Sequence, residues 1–547
     1  MTSWWRSAGR ATRLLTESRS SSRCIELSMC RRIFVLATAL LLCSVIYGRN
    51  ISPLDYGLRD AKNGEERFWS LYKAHADALK KGVQVDYSGI KQLDIEIPVD
   101  AKSIVLSART DFKGLVLKVT NTQKDQFYLF TMAQKAKEIN VSKEDLCAYR
   151  FTRYPELTKG VKLLIVEDKT PWVDQRIGYD YGAWRKEVLL LQDGKSVNNT
   201  IAPYNTSESK PSFKFVEETN DLKFFKNISL ERVPASTKRT YLLKAQRFNN
   251  LEISGVNIST PDNSHRLTAD YAIAIYDCAN LTIKNVKVNG TYSLSNKFGY
   301  AFFLNNIWNT RVKNMYGSGE WGVFGCNNMN RATIEKCDIN RFDLHCYGRD
   351  YYYKNCTLRD SSPFSSIYGI VSYDGCTFDS AYPCLFRSDY NAYTPFDLSF
   401  NRCTFKMDKN HYYIVYMNEL SQTINNRDEL REKCFPNIRI TKSKAYLDES
   451  VNKFEIIRIA RNFYPNPIGY ISSIVVDGLD IYGKNADMQV MSNIRQEVVT
   501  ENPVDIKLSR IRYRGKGETP NLRVNLNRGH ASQNRISMRK MSLSFQE

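Results

Sequence analysis

Histidine is scarce in this chain, with five residues in 547. The 13 cysteines form no CxxC pair and no cluster with histidine at ligand spacing. That excludes the common zinc-binding and thioredoxin-type motifs. No apolar run reaches the roughly 20 residues a membrane-spanning helix needs. The run Ile33–Tyr47 has only 15. Neither Gly (27) nor Pro (16) is in excess, so the body of the chain is neither collagen-like nor of low complexity.

What is present points to a packed protein. Hydrophobic residues make up 42% and charged residues 25%, with 33 Tyr and 26 Phe. Met29 opens a second plausible start: Arg31 and Arg32, the apolar run Ile33–Tyr47, then Gly48. A basic stretch before a short apolar one is a secretory signal. Residues 1–28 are read as a start-site over-extension, 29–48 as a signal peptide, and the mature chain as secreted, periplasmic or cell-surface. Leu42 is too large for a good lipid-attachment box before Cys43, so a lipoprotein is not favoured.

The net charge is +20, of which residues 1–48 supply seven Arg and two Glu, leaving +15 on the mature chain. Such an excess attracts anionic partners. Export argues against nucleic acid, and an acidic polysaccharide or oligosaccharide fits both facts. A diffuse basic surface without a ligand accounts for the charge equally well.

One short pattern recurs through the second half: alternating apolar residues, a two-residue polar corner, an apolar residue or Cys, and a second short strand. Copies lie at Leu251–Ile258, Leu281–Val288, Thr333–Ile339, Tyr353–Leu358, Tyr373–Phe378 and Phe400–Phe405. Weaker copies surround Ile440, Val476 and Leu508. The anchors Val256, Val286, Met315, Cys337, Cys356, Cys376 and Cys403 are 19 to 30 residues apart. This is the period of a β-solenoid, whose copies bury an apolar face only by stacking. Cys337, Cys356, Cys376 and Cys403 share one repeat position and are expected to stack inward as thiols. Disulfides between neighbouring coils are the rival arrangement, since equivalent positions lie only about 4.8 Å apart.

Apolar residues at helical spacing between Asn63 and Gly82 (Phe68, Leu71, Tyr72, Ala78, Leu79) predict an amphipathic helix capping the first coil, with Asn63 as N-cap and Gly82 as stop. His75 is read as a packing residue on it. The expected organisation is an N-terminal cap and first coils over 49–110, a β-rich insertion over 111–245, coils over 246–515 and a basic tail over 516–547. The fold class is all-β, a right-handed parallel β-helix.

From about Ile51 onward the chain resembles the pectate-lyase-like superfamily of right-handed β-helix proteins. Asp55-Tyr56-Gly57, followed by a helix and a strand, is similar to the opening of such proteins. The segments Glu320–Asn327, Asn340–Asp350 and Ser388–Asp397 resemble a group of exported β-helix proteins of gut-type Bacteroidetes found among polysaccharide-handling proteins. The resemblance implies the fold and a carbohydrate setting. It names no one activity, because the fold hosts lyases, hydrolases, esterases and fibres.

Near-equal offsets from successive anchors put His345, Ser365 or Ser366, and Arg387 in line on neighbouring coils. Around them lie Arg341, Asp343, Tyr347, Arg349, Asp350, Asp389, Tyr390, Asn391 and Tyr393. This set suits elimination from a uronate. Arg349 or Arg387 would pair the carboxylate, and His345 with Tyr347 or Tyr390 would move the protons. His345 as a turn residue bonded to Asp343 is the structural alternative, and turn-capping is the commoner fate for Asp343 and Asp350. Trp321 and Tyr393 are candidates to stack on sugars, with Tyr347 and Asn391 as further substrate contacts. A β-helix glycoside hydrolase pairing Asp343 with Asp350 or Asp389 is the first competing function. A non-catalytic carbohydrate-binding or surface protein is the second. The Asn-Thr-Asp, Asp-Asp and Gly-His-Gly elements of polygalacturonase-type hydrolases are absent. So is the Asp-rich calcium cluster of pectate lyases, and neither cofactor nor metal is called for. His265, His411 and His530 receive no role.

Overall fold

The computed structural model describes residues 50–173, 183–233, 238–259, 271–289, 300–317, 322–344, 347–359, 363–364, 367–379, 384–388, 396–420, 434–435, 437–459, 470–471, 473–484, 486–492, 505–515, 518, 520–524, 535–539 and 544–546. The expected over-extension and signal peptide lie outside these residues.

The helix Gly64–Lys81 forms as its caps dictate. The Asn63 side chain accepts from the Glu66 N–H at 2.9 Å, and Gly82 ends the helix at φ 68°. Its apolar stripe buries Phe68, Leu71, Ala74 and Ala78 against the strands Gln92–Glu96 and Ile104–Val105. Leu79, assigned to the same stripe from spacing, is 40% exposed. His75 is buried, with Nε2 2.6 Å from the Tyr87 hydroxyl. Among the described residues no helix is long and apolar enough to cross a membrane.

Beyond the helix the chain winds in coils that stack on one another. Gln92–Glu96 pairs in parallel with Arg109–Thr120, that strand with Lys223–Arg232, and that one with Leu251–Ser259. The ladder continues through Tyr271–Asn289, Tyr300–Gly317 and Gly322–Glu335. It runs on to Asp505–Tyr513 and Arg535–Arg539. Among the described residues all pairings in this 29-stranded sheet are parallel, and the inward residues fuse into one apolar core.

The corners explain the repeat. The residue before each anchor has positive φ: Gly255, Asn285, Asn314, Lys336, Asn355, Gly375, Arg402, Lys442, Gly478 and Arg510. A left-handed residue turns one strand into the next, and Gly and Asn tolerate it best. Stacked corners support one another, as where the Asn314 amide donates to Asn285 at 3.2 Å. Arg402 and Arg510 each pair with an aspartate one coil earlier, Asp374 and Asp477, both at 2.6 Å.

Just inside these corners Cys337, Cys356, Cys376 and Cys403 are at most 2% exposed, and all four are free thiols. Ser443 takes the next tier, its hydroxyl accepting from the Cys403 N–H at 3.1 Å. The ladder is therefore one of thiols, without the rival disulfides.

The segment that leaves the coils is narrower than 111–245. Arg109–Thr120, Gln126–Ala133, Lys223–Arg232 and Arg239–Gln246 all pair within the ladder. A separate five-stranded antiparallel sheet is built from Lys137–Ile139, Val161–Val173, Ala183–Gln192, Lys195–Ser196 and Ser212–Glu218. It packs on the flank of the coils, where Tyr347 joins one apolar cluster of the sheet and Ala279 another. The basic C-terminal stretch also contributes paired strands, Asn521–Val524 and Ser544–Gln546, rather than only a frayed tail.

Candidate active-site face

Along each strand alternate residues point out of the coil. Register then stacks outward residues into columns. One column runs Lys244, Ala274, Phe303, Gly325, Asp343 through five successive coils. Further on, Tyr416 and Arg458 align in the same way.

Asp343 is fully buried although it lies on an outward position. The Arg341 guanidinium binds it in a two-pronged contact, Nε to Oδ1 at 3.1 Å and Nη2 to Oδ2 at 2.8 Å. The Tyr300 hydroxyl donates to Oδ2 at 2.9 Å. Tyr300 reaches Asp343 by lying across the glycines of the intervening coil. A Cβ on Gly322 would stand 2.8 Å from the Tyr300 ring, and one on Gly325 2.7 Å. Two glycines in one strand thus open a seat for a phenol. Burial pushes the Cys326 thiol well up, and the Asp343 charge acts in the same direction. The cluster places a half-buried phenol and a guanidinium each within hydrogen-bond reach of one carboxylate. It can hold and pass a proton.

Directly beside Asp343, Leu344 aligns with Phe364, and Phe364 with Phe386. These three residues immediately precede His345, Ser365 and Arg387 in the sequence. His345, Ser365, Ser366, Asp389, Tyr390, Asn391, Tyr393 and Trp321 lie outside the described residues. Arg387 is on the strand Cys384–Ser388.

The other candidates go elsewhere. Tyr347 was expected to contact substrate. It is fully buried, and its hydroxyl donates to the Lys186 carbonyl at 2.8 Å while accepting from the Lys186 N–H at 2.7 Å. It fastens the five-stranded sheet to the coils. Arg349 lies in a different column, Trp308, Asn330, Arg349, Tyr368, on the flank that this sheet covers. Its charge acts on Glu187, a sheet residue whose carboxyl burial pushes up to about 8, against the pull of the Ile201 and Ala202 N–H groups. Asp350 sits at positive φ and accepts from the Ile370 N–H at 3.1 Å. It caps a corner. His411 is held by Asp408, Nδ1 to Oδ1 2.9 Å.

Tyr300 was not singled out from the sequence. The signal lay in Gly322 and Gly325, two missing side chains in an otherwise bulky strand. Among the described residues no group of three or more metal-ligating side chains is assembled.

No protein-family model matches the chain, and no curated protein matches it. Several solved structures are similar to it. One is the Gp54 tailspike of Acinetobacter baumannii bacteriophage AP22, in complex with A. baumannii capsular saccharide. It is 13% identical over 90% of this chain and 79% of that one, with a TM-score of 0.46. A second is the tailspike protein gp49 from Pseudomonas phage LKA1, at 11%, 87%, 80% and 0.49 in the same order. A third is an exopolygalacturonase from Thermotoga maritima, at 13%, 90%, 91% and 0.34.

Proposed function

We propose that this chain is an exported right-handed parallel β-helix protein that binds an acidic polysaccharide and cleaves it by β-elimination. The observation that carries the proposal is the Tyr300–Asp343–Arg341 cluster, set beside the aligned residues Leu344, Phe364 and Phe386. His345, Ser365 and Arg387 each follow one of these three residues in the sequence. Elimination from a uronate breaks the C5–H and C4–O bonds and forms a C4–C5 double bond. His345 takes the C5 proton. Arg387 neutralises the sugar carboxylate, which makes that proton more acidic. Tyr300 gives its proton to the departing oxygen, with Asp343 and Arg341 fixing the phenol's position. The excess positive charge draws the polyanion to the face.

Cleavage by paired carboxylates is the weaker alternative. Asp343 is closed off by Arg341 and Tyr300, and Asp350 is engaged at a corner. The test is to incubate the purified chain with polygalacturonate, alginate, hyaluronan and chondroitin sulfate while following absorbance near the ultraviolet edge. The expected result is an unsaturated product from at least one polymer. New reducing ends without that absorbance would replace the lyase by a hydrolase. Binding without any product would make the chain a carbohydrate-binding protein.

A further inference from the structure

North of the Tyr300–Asp343 cluster, toward the N-terminal coils, the same face carries a stack of aromatic rings. Tyr128, Tyr241, Tyr271 and Phe303 succeed one another at 4.7, 4.9 and 5.2 Å between ring centroids. Each ring comes from a different coil, so the stack runs along the coil axis. Hydroxyls gather at its edge. Tyr128 and Tyr271 are 3.0 Å apart, and Tyr271 and Tyr276 3.5 Å. Burial holds the Tyr128 and Tyr276 phenols in the protonated form, so each remains able to donate. The Lys244 ammonium stands over two of these rings, 5.4 Å from Tyr128 and 5.6 Å from Tyr276. Cations over aromatic faces are attracted to them. No carboxylate among the described residues lies within ion-pairing distance of Lys244, although many other lysines here have one. A cation and a chain of three phenol hydroxyls at the edge of stacked rings meet in one patch. That chemistry matches a sugar bearing a carboxylate or sulfate, with the sugar hydroxyls at the phenol edge of the stack and the anion at the ammonium.

We propose that Lys244 with Tyr128, Tyr271 and Tyr276 forms a second, non-catalytic subsite for an anionic sugar of the same glycan. Lys244 and Asp343 belong to one column and are four strand steps apart, about 19 Å at the usual spacing between strands. Only an oligosaccharide spans that distance, so the face grips a chain at two places. The inference shares the acidic-glycan reading for its class of ligand but needs no catalytic step.

The test measures affinity of the full chain for polygalacturonate, alginate, hyaluronan and chondroitin sulfate, for the native protein and two variants. Lys244→Gln should weaken the tightest of these by roughly tenfold or more, the scale of one charge-assisted hydrogen bond. Lys287→Gln removes the same charge from an exposed position on another face, and should change affinity by no more than about twofold through screened electrostatics. Equal effects of the two variants overturn the subsite, as does a native chain that binds none of the four. If Lys244→Gln loses binding but no unsaturated product ever forms, the subsite stands and the lyase fails. If product forms and Lys244→Gln binds like the native chain, the subsite fails and the lyase stands.

Discussion

The Tyr300 hydroxyl donates to the Asp343 carboxylate at 2.9 Å across 43 residues of sequence. Neither side chain reaches the other within one coil. The phenol crosses a whole coil, and only the bare backbone of Gly322 and Gly325 lets it pass. Tyr300→Phe removes the donor hydroxyl and keeps the ring over Gly322 and Gly325. It should lower kcat on any cleaved polymer at least tenfold with KM little changed, the pattern of a group used mainly in the transition state. Unchanged turnover in Tyr300→Phe would remove the proposed acid.

Gly325→Ala tests the seat itself. The added methyl would meet the Tyr300 ring at 2.7 Å, so the ring must move. A cost of about 1–3 kcal/mol in denaturant unfolding is expected, the scale of overpacking, together with loss of turnover. A variant as stable and as active as the native chain would show that the ring position is unimportant.

Arg341 is 7% exposed at its side chain and Asp343 not at all. Arg341→Met should therefore destabilise by about 3–5 kcal/mol, because it removes the guanidinium that neutralises a buried carboxylate. The double variant Arg341→Met with Asp343→Leu should recover much of that loss. Equal instability of the single and double variants would contradict a coupled pair.

The thiol ladder predicts selective labelling. Burial pushes the Cys403 thiol up to about 12, and the other three rungs are equally enclosed. In folded protein, alkylation mapped by mass spectrometry should modify exposed Cys147 and spare Cys337, Cys356, Cys376 and Cys403 until denaturant is added. Cys376→Asp should cost several kcal/mol, since it buries a charge without a partner. Rapid labelling of the four in native protein would break the register.

His75 makes a prediction about acid stability. Burial lowers its pKa from 6.5 to about 3, so the folded chain holds the ring neutral while the unfolded chain protonates it below 6.5. The unfolded state then binds more protons, and stability falls as pH drops from about 6.5 toward 3. The loss is at most about 1.4 kcal/mol per pH unit from this residue. His75→Gln should flatten the slope of unfolding free energy between pH 6.5 and 4.5 relative to the native chain. Identical slopes would show that His75 does not contribute.

Much of the scaffold is legible in the sequence because each coil repeats local information. The helix caps Asn63 and Gly82, the corner residues before Val256, Val286 and Cys356, and the inward thiols all follow from residues within a few positions of one another. Periodicity of two and a left-handed corner are local properties of the backbone. The extent of the side sheet was not legible, because Arg109–Thr120 and Lys223–Arg232 pair in the ladder without carrying the full repeat. The site was less legible still. Tyr347 looked like a substrate contact until its partner proved to be Lys186, 161 residues earlier. Arg349 and Asp343 are six positions apart, yet they stand in different columns and face different surroundings. Such assignments depend on how many residues each coil consumes and on what packs against its flank. The sequence by itself determined that the chain would stack its apolar strands. Only the tertiary structure decided which outward side chains share a face, because register between coils sets that and no single coil contains it.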